Sequence, residues 1–383
     1  MKLLYLHNIP LDSEKANITS VLFLCDSFKR LGIDVTLAVP ESNKLSTSES
    51  ITSFVEEYIG RSFSFEIVTY PKITAFGKLN ILGSYFGAKK IMKYSPADLC
   101  YCRIPMFVCL SVKYGIPVVF ESHNALLHTK HKLFDKIWRK KLIRYSGSDM
   151  LVKFVTISRA LSDYWTEKGV DTNKIIALHD GFDSHSFENS LTQTVAREKL
   201  GLKNDRKIVL YAGSLYPDRG IEDIIKLAEA FPGVEYIVVG GPSNQKIFFE
   251  DDVRKKGIKN VVFTGWIPQA QVKNFLYAAD VLLMTWSKKV PTIDYCSPLK
   301  MFEYMASGRI IVGHGFPTIK EVLTDEESAY LTDPDSFGEL AEKLRKALND
   351  TYPSKIAENA QKLAFKNYSW EKRAEEIIKH INL

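Results

Sequence analysis

Residues 297–312, SPLKMFEYMASGRIIV, join a helix to a strand and decide which fold the chain can take. Ser297 and Pro298 suit a helix start, because serine can cap the first turn and proline tolerates it. About two to three helical turns follow before Gly308, a residue type that commonly ends helices, and Ile310–Val312 is an apolar strand. A helix that leads directly into a buried strand is typical of a parallel α/β sheet.

Lys300 and Glu303 stand three residues apart, so on a helix they share one face near its positive end. A phosphate at that end would meet free backbone N–H groups, the helix dipole and the Lys300 ammonium. The Glu303 carboxylate could accept hydrogen bonds from vicinal hydroxyls such as those of a ribose. An exposed ion pair on an ordinary helix has the same spacing, and the residues alone leave both interpretations open.

The rest of the chain predicts two α/β domains, because 383 residues exceed the length of one typical domain. Short apolar strands alternate with helical patterns in both halves. The predicted strands are Leu3–His7, Val35–Val39, Phe65–Thr69, Leu99–Arg103, Val118–Glu121, Val152–Ile157, Lys174–Leu178, Lys207–Gly213, Tyr236–Val239, Val261–Thr264, Val281–Thr285, Ile310–Val312, Thr318–Leu323 and Ala329–Leu331.

Several classes of protein are disfavoured. No apolar run approaches the roughly 18 residues of a membrane span, and the chain opens on a strand rather than a signal region. Five cysteines without paired spacing predict neither a disulfide framework nor a zinc site, so we expect a reduced, cytoplasmic protein. The turn at residues 7–17 has no glycine, which argues against an NAD-dependent dehydrogenase.

Positive charge is concentrated in the first half. Residues 1–180 contain 24 Lys/Arg and 17 Asp/Glu, whereas the remainder contains 27 and 28. Within 128–144, seven Lys/Arg and one Asp135 accompany a helical apolar stripe at positions 133, 134, 137, 138, 142 and 143. The stripe is expected to pack on the sheet, and the basic face could contact an anionic membrane surface. We expect no nucleic-acid partner, because no recognisable binding motif surrounds this patch.

The SPLKMFEYMASGRIIV stretch resembles the donor-binding signature of family-four glycosyltransferases. The resemblance covers essentially the whole chain. It implies the GT-B fold, two Rossmann-like domains facing each other across a cleft, here 1–190 and 191–366, with a C-terminal helix at 367–383 crossing back to the first domain. Glu303 matches the family glutamate that contacts the nucleotide ribose, whereas Tyr295 occupies the position of the first glutamate, eight residues earlier. Ser297, Pro298 and Leu299 would then line the donor site, with Lys300 near the diphosphate.

Two further loops resemble parts of the same donor site. Gly213-Ser214 to Gly220 is a glycine-flanked loop before a helix, where the family has an arginine after the first glycine and a lysine before the last. This chain has Ser214 and Arg219 there. The resemblance makes Arg219 and Lys300 catalytic candidates that stabilise the departing diphosphate without a metal ion. Trp266 and Ile267 match the loop that holds the nucleobase, although a packed turn is equally consistent with these residues.

His123 follows the buried strand at Val118–Glu121, where ligands of open α/β sheets bind. Its imidazole could bond a donor-sugar hydroxyl or polarise a leaving group, and a loop histidine satisfied by backbone is the alternative. The position resembles the cleft histidine of the family and is therefore a third catalytic candidate.

The resemblance implies a retaining glycosyltransferase of hexosyltransferase type. It would move sugar from a UDP- or GDP-linked donor to a saccharide or lipid-linked acceptor, in surface polysaccharide or glycolipid assembly. No cofactor and no metal are expected, and the enzyme would be cytoplasmic, peripheral on the inner face of the cell membrane if 128–144 binds lipid. A nucleotide-sugar epimerase or phosphorylase on the same fold, and a non-catalytic nucleotide-sugar-binding subunit, are the alternatives.

Overall fold

The structure is a computed structural model of the chain, and it describes residues 1–13, 17–71, 80–94, 97–125, 132–350 and 354–381. The chain forms two compact units, unit 1 (Met1–Asp180 with Trp370–Leu383) and unit 2 (Gly181–Ser369). In neither unit do the described residues include a helix long and apolar enough to cross a membrane.

Unit 1 contains a parallel sheet of seven strands among its described residues, in the order β3-β2-β1-β4-β5-β6-β7. The strands are β1 (Lys2–Leu6), β2 (Asp34–Pro40), β3 (Glu66–Tyr70), β4 (Leu99–Cys102), β5 (Val118–Ser122), β6 (Leu151–Thr156) and β7 (Ile175–Ala177). The helices between them are α1 (Asn17–Arg30), α2 (Ser48–Ile59), α3 (Asn80–Tyr94), α4 (Pro105–Lys113), α5 (Lys132–Ser146) and α6 (Arg159–Glu167).

Unit 2 contains a second parallel sheet, described with six strands in the order β10-β9-β8-β11-β12-β13. Its strands are β8 (Ile208–Ala212), β9 (Glu235–Val239), β10 (Val261–Gly265), β11 (Val281–Met284), β12 (Ile310–His314) and β13 (Tyr330–Thr332). Its helices are α7 (Ser184–Glu188), α8 (Gln193–Leu200), α9 (Ile221–Ala230), α10 (Ser243–Lys255), α11 (Gln269–Ala278), α12 (Leu299–Ala306), α13 (Pro317–Lys320), α14 (Phe337–Leu348) and α15 (Lys355–Asn367).

Alternation along the strands explains why both faces of the unit 2 sheet are covered. On β8, Ile208 and Leu210 pack in one apolar cluster, whereas Val209 and Tyr211 pack in another on the opposite face. Side chains on a strand point alternately to its two faces, so an uninterrupted apolar run needs a helical layer on each side. The predicted α/β class with parallel sheets is therefore confirmed. The strand predicted at Thr318–Leu323 is wrong, because Pro317 starts the helix α13 there.

The strand order reverses between β1 and β4 in unit 1 and between β8 and β11 in unit 2. In open α/β sheets the loops after the carboxyl ends of the strands diverge at such a point, which leaves a crevice for ligands. The residues that follow these four strands are therefore candidates for ligand binding.

The start of α12 differs from the sequence prediction. The helix begins at Leu299, and the capping position belongs to Pro298, which makes no side-chain capping hydrogen bond. Ser297 lies one residue further back and is buried. The prediction that Ser297 caps this helix is therefore wrong, because the fixed backbone of Pro298 already defines the turn into the helix.

Helix α5 differs from the expectation that its apolar stripe packs on the sheet. Residues 128–131 of the predicted basic segment lie outside the described residues. Leu142 is buried, but Leu133 and Ile137 are 70% and 41% exposed, although all three belong to the apolar stripe expected to pack on the sheet. The helix thus leaves part of its apolar stripe exposed beside its basic residues.

Helix α16 (Trp370–Lys379) belongs to unit 1 although it follows unit 2 in sequence. It packs against α1, and Trp370 and Ile377 are buried. Arg373 donates hydrogen bonds to the carbonyls of Leu178 and His179, and its guanidinium lies 3.2 Å from the fully buried carboxylate of Glu121.

Replacing Arg373 by alanine should lower the free energy of unfolding by about 3–5 kcal/mol, because the Glu121 carboxylate would stay buried with one guanidinium fewer. Lys372→Ala is the matched control on the same helix, since its 2.7 Å pair with Glu375 is exposed and should contribute less than about 1 kcal/mol. Urea unfolding measures both variants, and equal losses would contradict the buried role of Arg373.

Candidate functional site

Lys300, on α12, places its amine at the strand-order reversal of unit 2. Its Nζ lies 3.5 Å from the centre of the Tyr211 ring on β8 and 5.3 Å from that of Trp286, two residues beyond β11. The Nζ atom is buried and has no hydrogen-bond partner among the described residues. Burial, reinforced by the nearby charge of Arg219, holds the pKa of Lys300 well below its usual range. A bound anion would therefore favour the protonated form of the Lys300 amine.

Gly213 allows backbone to approach this amine closely. A Cβ atom on Gly213 would lie 2.6 Å from Nζ of Lys300, and its φ of +152° is one that residues with a side chain rarely adopt. A Cβ on Gly240 would lie 2.5 Å from the carbonyl oxygen of Gly213, so the loops after β8 and β9 are also in close contact. Glycine at 213 is therefore required by the local packing.

Arg219 adds a second cation from the loop that enters α9. The carbonyl of Asp218 accepts a 2.9 Å hydrogen bond from the Ser287 amide, and that of Gly220 accepts one of 3.3 Å from the Thr285 hydroxyl. These bonds fix both sides of Arg219 against the segment after β11. Ser214, in the same loop, accepts a 3.0 Å bond from the Tyr211 hydroxyl through its carbonyl.

Glu303 lies one helical turn beyond Lys300 and accepts a hydrogen bond from Nε2 of Gln269. Burial, with the charge of Asp183 adding to it, raises the pKa of Glu303 to about 7. Gln269 is the first residue of α11 and follows directly on the loop of Trp266 and Ile267. The structure therefore brings Glu303 beside the start of the helix that follows the predicted nucleobase loop.

The remaining predicted donor residues are distributed along these same loops. Trp266 is 49% exposed, whereas Ile267 is partly buried against the apolar cluster of Ile208 and Leu210. Pro298 and Leu299 are half-buried at the start of α12. The Tyr295 side chain, where the family has a glutamate, is half-buried as well.

Sequence reasoning missed the residues that hold α12 and Lys300 in place. The Tyr304 hydroxyl accepts a 2.7 Å hydrogen bond from the backbone amide of Ala212, which fixes α12 against the end of β8. Tyr211, Trp286 and Gln269 complete the surroundings of Lys300 and Glu303. Tyr211 and Trp286 lie at or just after the ends of the strands that flank the order reversal, and the sequence alone does not show which strands become neighbours.

In unit 1, His123 follows β5 and its side chain is 31% exposed. Its Nε2 is hydrogen-bonded to Oε1 of Glu121, the penultimate residue of β5. Glu121 is fully buried and also accepts a hydrogen bond from the Tyr101 hydroxyl, while Arg103 lies 2.9 Å away. Sequence analysis singled out His123 but not these partners.

Glu121, His123 and Asp180 each offer one ligand atom within 4.8 Å of the others, which is a spacing suited to a metal ion. Arg103 and Arg373, however, both lie beside the Glu121 carboxylate. Two guanidinium groups already neutralise this carboxylate and would repel a cation, so the residues present do not fit a metal.

His7, directly after β1, is a further buried group that the sequence did not reveal. Burial, together with the charge of Arg103, lowers the pKa of His7 to about 3. Its Nε2 has no hydrogen-bond partner among the described residues. His7 is therefore a neutral imidazole at the strand-order reversal of unit 1.

Two family models match the chain in succession. The model described as Glycosyltransferase Family 4 matches residues 19–186, and the model described as Glycosyl transferases group 1 matches residues 192–381. Together they account for most of both units.

Curated relatives and solved structures agree with these models. The chain is 25% identical to the lipopolysaccharide 1,2-N-acetylglucosaminetransferase of Salmonella typhimurium over 68% of its length and 73% of the relative. It is 24% identical to the processive diacylglycerol alpha-glucosyltransferase of Acholeplasma laidlawii, over 64% of its length and 73% of the relative. The structure of Anabaena HepE with UDP and glucose matches 99% of the chain and covers 98% of HepE, with a TM-score of 0.75 at 17% identity. The chain belongs to the family-four glycosyltransferases of the GT-B type.

Proposed function

We propose that this glycosyltransferase moves a hexose from a UDP- or GDP-linked donor to a saccharide or lipid-linked acceptor, in the assembly of a surface polysaccharide or glycolipid. The proposal rests above all on the buried amine of Lys300, which has no partner among the described residues and lies near Arg219. A guanidinium and an amine at a crevice of a parallel sheet suit a diphosphate, whose charge would raise the pKa of Lys300 and favour its protonated form.

The donor would extend from the diphosphate towards Glu303 and the loop of Trp266. Glu303 would accept hydrogen bonds from the ribose hydroxyls, and backbone groups near Trp266 and Ile267 would hold the base. The HepE structures with UDP, or with UDP-glucose, support UDP as the first nucleotide to test.

In the proposed transfer, the bond between the anomeric carbon and the β-phosphate oxygen breaks, and the acceptor hydroxyl oxygen bonds to the same carbon. The hydroxyl proton passes to the departing phosphate oxygen, so attack occurs on the face that the leaving group vacates and the configuration is retained. Arg219 and Lys300 stabilise the charge that develops on the diphosphate. His123, which resembles the cleft histidine of the family, would hydrogen-bond a sugar hydroxyl.

A non-catalytic donor-binding subunit is the second candidate. It is favoured by Tyr295 at the position of a family glutamate and by Ser214 at the position of a family arginine. Such a subunit would bind the nucleotide sugar without turnover, and an epimerase would convert the sugar without an acceptor.

The exposed face of α5 supports the proposal that the acceptor lies in a membrane. Leu133 and Ile137 share this face with four exposed basic residues, Lys136, Lys140, Lys141 and Arg144. Arg139 does not belong to it, because its guanidinium bonds Asp135 at 2.7 Å and also bonds the Tyr164 hydroxyl. Apolar side chains among lysines suit the surface of an anionic bilayer.

Calorimetric titration with UDP, GDP, ADP and CDP tests the donor site. We expect one of UDP or GDP to bind, and Lys300→Met to weaken that binding at least about 10-fold while leaving the parent nucleoside unaffected, because only the phosphates meet the amine. Lys289→Met removes an exposed lysine of the neighbouring segment and is the matched control. No binding of any diphosphate would contradict the donor site, and binding without turnover on any acceptor would favour the subunit.

Glu303→Gln should change how stability depends on pH. The folded pKa of Glu303, about 7, exceeds its ordinary 4.5, so its contribution to stability is complete below pH 4.5 and is lost as pH rises through 7. The variant should therefore melt above the wild type at pH 8, with a smaller difference at pH 5. Glu342→Gln, at an exposed position of α14, is the control. If the melting temperatures of Glu303→Gln and of the wild type differed by the same amount at pH 5 and pH 8, the raised pKa of Glu303 would be contradicted.

Liposome flotation tests α5. Changing Lys136, Lys140, Lys141 and Arg144 to glutamine should abolish flotation with anionic vesicles, since each charge contributes about 1 kcal/mol near such a surface. The matched control replaces four exposed lysines of unit 2, Lys199, Lys203, Lys255 and Lys256. Undiminished vesicle binding by the α5 variant would show that this face does not bind the membrane.

A further inference from the structure

The two ring nitrogens of His123 have different surroundings. Nε2 faces Oε1 of Glu121, which has no exposed surface. Nδ1 has no hydrogen-bond partner in the described residues, and the side chain is 31% exposed. One nitrogen is therefore engaged by the protein and the other is available to a ligand.

The surroundings of Glu121 decide which nitrogen holds the proton. Burial alone would raise the pKa of Glu121, but Arg103 and Arg373 outweigh burial and hold that pKa well below its usual range. An ionised carboxylate can only accept hydrogen bonds, so the Nε2 that meets it must donate. The neutral imidazole then has its lone pair on Nδ1.

We propose that Glu121 is a positioning residue that fixes His123 in the tautomer with the proton on Nε2, so that Nδ1 accepts a hydrogen bond from a sugar hydroxyl. This inference rests on the proposed contact between His123 and a sugar hydroxyl. The opposite tautomer would present an N–H donor at Nδ1 instead, and the hydroxyl would have to reorient.

The arginines beside Glu121 are themselves held within unit 1. Arg103 donates a 2.8 Å hydrogen bond from Nη1 to the Ser20 hydroxyl, while its Nη2 faces Oε1 of Glu121. Arg373 faces Oε2 and bonds the backbone carbonyls at the end of β7. The carboxylate therefore has little freedom to rotate away from His123.

Tyr101 provides a matched control for the role of Glu121. Its hydroxyl donates to Oε2, the carboxylate oxygen that does not contact His123. Tyr101→Phe removes one hydrogen bond of Glu121 and leaves the Nε2 contact in place. Glu121→Gln can instead place an amide N–H₂ group against Nε2, which would drive the proton to Nδ1.

The experiment combines kinetics with nitrogen NMR of the full chain labelled with ¹⁵N-histidine. Long-range ¹H–¹⁵N spectra distinguish the two tautomers, and comparison with His123→Gln assigns the signal among the eight histidines. We expect the Nε2–H tautomer in the wild type and in Tyr101→Phe, and an increased Nδ1–H population in Glu121→Gln. We also expect kcat of Glu121→Gln to fall about 10- to 100-fold with the donor KM unchanged.

An Nδ1–H tautomer in the wild type would overturn the inference, whether or not Glu121→Gln folds. Equal losses of kcat in Tyr101→Phe and Glu121→Gln, with unchanged spectra, would reduce Glu121 to a structural role. These spectra are recorded without substrate, so they do not depend on the donor site of unit 2. Failure of diphosphate binding would instead count against the proposed function.

Discussion

The candidate site residues of this glycosyltransferase are brought together by one constraint, which is that parallel strands all end at the same edge of their sheet. In unit 2 this edge collects Gly213 after β8 and Trp286 after β11, and α12 supplies Lys300 between them. In unit 1 it collects His7 after β1, Arg103 after β4 and Glu121 near the end of β5. Residues far apart in the chain thereby form compact clusters without any long loop.

The two clusters differ in how their charges are balanced. Glu121 has two guanidinium groups and two further hydrogen-bond partners, so its charge is compensated within the fold. The Lys300 amine lies over two aromatic faces, close to the charges of Arg219 and Glu303, and has no hydrogen-bond partner among the described residues, so we expect a bound anion to compensate it. A buried polar group without a protein partner is uncommon and can mark the place of an ion or ligand, whereas a carboxylate held by several donors orients its neighbours.

Much of this architecture could be predicted from the sequence. Apolar strands and the SPLKMFEYMASGRIIV stretch were sufficient for the fold class, the family and the shared helical face of Lys300 and Glu303, because these depend on local pattern. Tyr211, Trp286 and the partners of Glu121 could not be predicted, since their roles depend on which strands become neighbours. The exposure of Leu133 and Ile137 was missed for a related reason: helical periodicity defines a stripe but not how much of it the sheet covers.

Unit 1 is formed by two segments that are separated in the chain by unit 2, and this affects its folding during synthesis. Its sheet is complete by residue 180, yet the guanidinium of Arg373 that helps to neutralise Glu121 comes from a helix beyond the whole of unit 2. At about 5–20 residues per second, the ribosome needs roughly 10–40 s to add that intervening length. During this interval the nascent unit 1 holds a carboxylate with Arg103 as its remaining guanidinium partner. Unit 1 therefore reaches its final stability only after α16 has been synthesised, later than the residues of unit 2.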